Sequence, residues 1–191
     1  MKHIGTNPIQ TKRLLLRRIR HTDCGDIYKM CSNPNVNKYL SYPIHKSIDD
    51  SISICNTWVA EYKNSNDYLW AIVYRDKVIG VISVNAIIET TAIIGWQLTE
   101  EYWNQGFMTE AATAVFNYLF NRVGFEKIEA RFAEPNIGSG KVMEKIGMIP
   151  VELKDTDFYS IKNDPKTHGF QALHMQITKE EYNNIHNKDG E

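Results

Sequence analysis

Apolar residues along this chain keep two spacings, and the spacings predict the elements. Leu14, Leu16 and Ile19 sit among Lys12, Arg13, Arg17 and Arg18, which predicts a first strand with one buried face. Asp23 stands where it can cap a short helix running toward Met30 and Cys31. Residues 33–43, with two prolines and several asparagines, read as a loop. Beyond it Ile48, Ile52, Cys55, Val59 and Tyr62 recur at alternating steps of four and three, a helical stripe. The polar run Asn64-Ser65-Asn66-Asp67 ends that helix.

Strand-rich runs at 68–74 and 78–84 flank Arg75-Asp76-Lys77, a hairpin connection. Residues 92–98 supply another strand. After Gly106, the residues Ala111, Ala112, Val115, Phe116, Leu119, Phe120 and Val123 line one helical face, and Gly124 can cap its end. A strand at 127–132, a short helix at 137–146 closed by Gly147, and strands near 148–153 and 170–177 follow. Thr178 with Glu181 makes a capping-box pattern for a terminal helix. Residues 155–168 are polar and irregular and read as a loop. Strands come as hairpins in the middle and then alternate with helices. That order predicts a mixed α/β sheet with helices on both faces.

Length and composition narrow the class. At 191 residues the chain suits one domain, 1–191, with its core at 11–186. Hydrophobic residues are 42% and charged residues 24%, enough of the former for a real core. The formal net charge of -1 gives no global electrostatic case for nucleic acid or an anionic membrane. Cys24, Cys31 and Cys55 form no CxxC pair and no zinc spacing, and an odd count suits a reducing compartment. The opening Met1-Lys2-His3-Ile4-Gly5 does not develop the apolar stretch of a signal peptide. No apolar run approaches the ~20 residues of a membrane span. A cytoplasmic protein, monomer or homodimer, is the expectation. His21, His45, His168 and His174 are scattered, so no metal is expected.

The informative chemistry lies between Ile93 and Ala111: a strand, a polar turn holding Gly106, then a long helix. Free N–H groups at a helix N-terminus attract anions, and Gly106 would let backbone approach a phosphate. Taken alone, Gly106 could equally be a turn residue before a helix. No Gly-Lys-Ser/Thr follows, against a nucleotide-triphosphate loop, and a lone glycine argues against a dinucleotide fold.

Glu101-Tyr102-Trp103-Asn104-Gln105-Gly106-Phe107-Met108-Thr109-Glu110-Ala111 resembles the acetyl-CoA motif of the GNAT superfamily of N-acetyltransferases. Trp103 and Met108 depart from that superfamily's Gln/Arg-x-x-Gly-x-Gly/Ala turn. They resemble instead the Tyr-Trp-x-x-Gly-Tyr/Phe-Ala/Met-Thr/Ser-Glu-Ala form of the branch that contains the RimJ/RimL ribosomal-protein N-terminal acetyltransferases. Thr11-Lys12-Arg13-Leu14-Leu15-Leu16-Arg17 is similar to the branch's opening strand. Asn136-Ile137-Gly138-Ser139-Gly140-Lys141-Val142-Met143-Glu144-Lys145-Ile146-Gly147-Met148 is similar to its Asn-x-x-Ser helix. The resemblance implies a mostly antiparallel central sheet of about seven strands with helices on both faces. It also implies acetyl-CoA as co-substrate and a primary amine as acceptor, either a protein N-terminus or a small molecule. A CoA-binding sensor or scaffold without catalysis, and transfer of a longer acyl group, are the alternatives.

Site residues carry over as implications. Backbone of Gln97 and Leu98, with Thr99 beyond, is expected to bond the pantetheine as an added strand, with an N–H near Leu98 stabilising the oxyanion. An ordinary edge strand is the other reading. Amides of Asn104, Gln105, Gly106, Phe107, Met108 and Thr109 are expected to wrap the pyrophosphate, Met108 narrowing the space beside it. Asn136 would bond the pantetheine and Ser139 lie near the sulfur, although Asn-x-x-Ser is also capping chemistry. A CoA thiolate leaves with little acid assistance because a thiol's pKa is ~8.5, so Ser139 is expected to position more than protonate. For a base, Glu100, Glu101, Glu134 and Glu152 stand open, with Glu134 set apart by its place at a strand exit beside Pro135. Tyr39, Tyr42, Trp58, Tyr68 and Trp70 either line an acceptor pocket or fill the core.

Overall fold

A computed structural model describes residues 1–40, 43–151 and 170–186. Among these residues eight strands form one sheet: β1 (Ile9–Gln10), β2 (Leu15–Arg17), β3 (Leu69–Tyr74), β4 (Lys77–Ile88), β5 (Thr91–Leu98), β6 (Lys127–Ala133), β7 (Ile149–Pro150) and β8 (Ala172–Thr178). Their order is β1-β2-β3-β4-β5-β6-β8-β7, and every neighbouring pair is antiparallel except β5 with β6. The one strand beyond the expected seven is β1, two residues long and too short to leave a periodic signal. Helices α1 (Cys24–Cys31), α2 (Pro34–Asn37) and α3 (Ile48–Glu61) precede β3. Further on come α4 (Phe107–Asn117), α5 (Ile137–Lys145) and α6 (Lys179–His186). The polar stretch 155–168, with Glu152, Tyr42 and His168, lies outside the described residues.

Alternation along the strands sends side chains to two cores. Leu14, Leu16, Trp70, Ile72, Ile82, Ala92 and Ile94 pack with Val115 and Phe116 of α4, Met143 of α5 and Tyr182 of α6. On the opposite face Leu69, Ala71, Val73 and Val81 pack with Ile27, Met30 and Cys31 of α1 and Cys55 of α3. Helices therefore cover both faces. The crossover from β5 to β6 runs through α4, as a parallel pair requires. That helix continues as a π-turn, Tyr118–Val123, and stops at Gly124 with φ +94°.

Three local expectations need correction. Residues 33–43 are not all loop: Asn33 caps α2 by accepting from Asn35 N–H (2.8 Å), and Pro34 takes the first helical position. Asp23 makes no side-chain cap on α1, because a turn at His21–Asp23 precedes that helix. Its buried carboxylate accepts from Arg17 (2.7 and 2.9 Å) and Arg20 N–H (2.7 Å), the pairing a buried charge demands. Helix α3 is rotated from the stripe: Ile48 and Ile52 are each 41% exposed, whereas Ser51 and Cys55 are buried. Ser51 tolerates burial because its hydroxyl bonds His45 Nδ1 at 2.7 Å.

Candidate active site

Strands β5 and β6 run side by side from Thr91 and Lys127 only as far as Ile94 and Ala130. Both strands continue, β5 to Leu98 and β6 to Ala133, so a V opens between their carboxyl ends. On its other edge β5 stays paired with β4 to the end, Leu98 against Gly80. Thr99 N–H donates to the Ile79 carbonyl at 2.8 Å, which fixes the alternation. Thr99 and Gln97 therefore direct their backbone groups to β4, while Trp96 and Leu98 direct theirs into the V. Of the expected pantetheine residues only Leu98 presents backbone there, through its N–H, because its carbonyl accepts from the Trp103 indole; Trp96, not among the expected residues, joins it. Gln97 sends its side chain to the α1 face, with Oε1 3.8 Å from Cys31 Sγ.

Each arm of the V leads into a helix N-terminus. Beyond β5 a short turn, Glu100–Tyr102, is followed by Asn104 and Gly106 at φ +59° and +74°. Glycine suits Gly106, since that left-handed conformation is unfavourable for most side chains. Having no side chain, Gly106 leaves the first amides of α4 without a side-chain cap. The first amide turned inward is that of Glu110, to the Gly106 carbonyl at 3.0 Å. Asn104, Gln105 and Gly106 are exposed and Thr109 is half-buried. Phe107 and Met108 are 3% and 4% exposed and belong to the core. The Met108 side chain is thus packed into the core. Trp103 donates its indole N–H to the Leu98 carbonyl at 2.7 Å and so ties the turn to the strand end.

Beyond β6, Asn136 caps α5, its Oδ1 accepting from Ser139 N–H at 3.3 Å. The capping reading therefore holds for Asn136. Helix α5 sits hard on β6: a Cβ on Gly140 would lie 2.9 Å from the Phe132 ring. The V thus has the Gly106 turn on one arm and Asn136 and Ser139 on the other.

The carboxylates divide. Glu100 accepts from Asn33 Nδ2 (2.8 Å) and Asn35 Nδ2 (2.9 Å), anchoring α2 to the end of β5. Glu101 pairs with Lys29 at 2.8 Å in an exposed bridge. Glu134 is exposed, its backbone N–H donating to the Gln171 carbonyl at 2.9 Å. Among the aromatics, Tyr68 and Trp70 are core residues at 2% and 0% exposure, and Trp58 packs on the second core. Tyr39 stands edge-on to Phe170, ring centroids 5.5 Å apart. Burial pushes the Cys31 thiol up to about 11 and the Cys55 thiol up to about 12, so neither is a nucleophile near neutrality. On the face away from α4, Arg131 lies opposite His174 and Glu129 opposite Gln176. Burial lowers the His174 pKa, the Arg131 charge adding to the shift and Glu129 opposing it. Among the described residues no group of His, Cys, Asp and Glu could hold a metal ion, and no helix is long and apolar enough to cross a membrane.

Comparison with known proteins agrees with this geometry. Residues 13–149 match the acetyltransferase (GNAT) domain. Two uncharacterized N-acetyltransferases of Bacillus subtilis, YoaA and YnaD, are 32% and 33% identical over 143 residues, covering 73% of this chain and 81% of each relative. An acetyltransferase (GNAT family) of Bacillus anthracis has a similar structure, with TM-score 0.76 and 25% identity over 92% of this chain and all of that one. The RimL ribosomal L7/L12 α-N-protein acetyltransferase in complex with coenzyme A shares the fold, at TM-score 0.75 and 16% identity over 90% of this chain and 98% of that one. A match over most of its length, together with this V-shaped opening, makes the chain a member of the GNAT family of acetyltransferases.

Proposed function

We propose that this acetyltransferase moves an acetyl group from acetyl-CoA to a primary amine by direct attack on the thioester. The observation that carries the reading is the parting of β5 from β6 beside the Gly106 turn. Unpaired strand groups accept an amide-bearing arm as they would another strand. A helix N-terminus accepts phosphates. Pantetheine therefore lies along Trp96 and Leu98, and the pyrophosphate meets the amides from Asn104 to Thr109. Gln97 and Thr99, whose backbone is engaged by β4, support that strand from behind. Coenzyme A in the RimL complex, and acetyl-CoA with AMP in the complex of MccE, a microcin C7 self-immunity acetyltransferase, add weight to this choice of co-substrate.

The chemistry follows from the thioester. The amine lone pair forms the new C–N bond, the C–S bond breaks, and the CoA thiolate departs with the electron pair. The Leu98 N–H stabilises the oxyanion. Ser139 positions the sulfur, and Asn136, besides capping α5, faces the pantetheine with its amide. Among the described candidates Glu134 takes the proton released by the amine, since Glu100 and Glu101 are engaged elsewhere; Glu152, outside the described residues, stays the alternative base. The acceptor class is a protein N-terminal α-amine, as for RimL, or a small-molecule amine.

Thiol release from acetyl-CoA across a panel of N-terminal peptides and small amines tests the proposal. Amine-dependent release of CoA with matching N-acetyl product is expected. Tight cofactor binding with no release for any amine would reduce the chain to a CoA-binding sensor or scaffold. Faster release from propionyl- or succinyl-CoA would correct the acyl group.

A further inference from the structure

The Thr11-x-Arg13 motif reaches across the molecule to the turn after β5. Thr11 Oγ1 and Arg13 N–H both donate to Glu110 Oε1, at 2.6 and 2.8 Å. Arg13 Nε donates to Glu110 Oε2 at 2.6 Å, and Arg13 Nη1 to the Gln105 carbonyl at 2.9 Å. The guanidinium carbon lies 4.2 Å from the Phe107 ring centroid. That ring is seated in turn on Tyr74 (4.7 Å) and Tyr102 (5.9 Å). Nη2 stands 3.5 Å from where a Cβ on Gly106 would be. One side chain thus holds both neighbours of Gly106 and lies against Gly106 itself.

Charge gives this brace a second consequence. Glu110 lies in the first turn of α4, with its side chain 18% exposed. A carboxylate there suits the helix dipole but repels any anion brought to the same N-terminus. Its pKa is lowered: burial acts to raise it, and the hydrogen bonds from Thr11 and Arg13 outweigh burial. Glu110 is therefore charged at neutral pH and needs a counter-charge.

We propose that Arg13 is a positioning residue for the phosphates of acetyl-CoA: it fixes the Gln105-Gly106-Phe107 turn in its anion-receiving shape and cancels the charge of Glu110. The inference rests on the reading of that turn as the phosphate site. It assigns a task to the opening motif, which the proposed chemistry leaves unused.

The test compares two donors, acetyl-CoA and the phosphate-free thioester S-acetyl-N-acetylcysteamine, in the parent, R13Q, E110Q and R13Q/E110Q. Loss of a charge-assisted fork should raise KM for acetyl-CoA in R13Q about tenfold or more at low salt, and less at high salt. Use of the phosphate-free donor, and KM for the amine, should stay within about twofold, because no phosphate is involved. Charge balance is restored in R13Q/E110Q, so that variant should recover part of the loss. E110Q alone should not weaken acetyl-CoA, and it keeps the idea open to refutation should R13Q fail to fold. Equal loss with both donors, no loss in R13Q, a double variant worse than R13Q, or a weakened E110Q would each overturn the assignment. A parent that uses neither donor would bring down the functional reading itself, whereas a parent that uses both with an indifferent R13Q brings down only this inference.

Discussion

Ser139 and Asn136 are a residue pair whose structural role is shown and whose chemical role is proposed. The Asn136 side chain is committed to the Ser139 N–H, which leaves the Ser139 hydroxyl at the first turn of α5, half-buried and beside the V. A good leaving group needs little protonation, so Ser139→Ala should lower kcat/KM by no more than about tenfold, measured by thiol release. A loss above ~10⁴-fold would instead make it an essential acid. Gly106 was legible in the sequence because its conformation is a property of one residue. The candidate bases were not. Glu100 and Glu101 look free in the sequence, and the groups that engage them, Asn33, Asn35 and Lys29, lie 67, 65 and 72 positions away.

Among the elements, β5 matters most, because its far edge must stay fixed while its near edge stands open. Gly80 on β4 secures the fixed edge: a Cβ there would come 2.5 Å from the Gln97 carbonyl oxygen, which is backbone and cannot swing aside. Gly80→Ala should therefore pry β4 from the open end of β5. The expected cost is about 2 kcal/mol, read as a lowered midpoint in denaturant, together with weaker acetyl-CoA binding. Unchanged stability and binding would show that the V does not depend on this contact. Long periodic elements such as α4 and β3 were legible, since many residues repeat one signal. The V was legible only through the family resemblance, as a strand edge open to an added strand; composition alone does not show it, because it arises where two strands of ordinary composition cease to pair. The α3 stripe misled for a related reason: Ser51 is buried on account of His45, a partner that spacing does not reveal.

For the molecule as a whole, two cores on opposite sheet faces hold the site, and the C-terminal strands carry a pH-sensitive residue. His174 on β8 has a pKa held below its ordinary 6.5 by burial and the Arg131 charge. The unfolded chain then binds the proton more readily than the folded one. Stability should accordingly be level with respect to this group above about pH 7, and fall as the pH drops from about 6.5 through the folded value. Thermal midpoints of the parent and His174→Gln, followed from about pH 7.5 to 5, should converge on a shallower decline in the variant. A parallel decline would remove His174 as the cause.

The most direct test of the central claim is calorimetric titration of acetyl-CoA into the parent and into Gly106→Trp. Tight binding is expected in the parent and its loss in a variant that still folds, because bulk at a φ of +74° both strains the turn and fills the space proposed for the phosphates. Undiminished binding in the folded variant would place the phosphates elsewhere, and no binding by a folded parent would contradict the enzyme reading altogether.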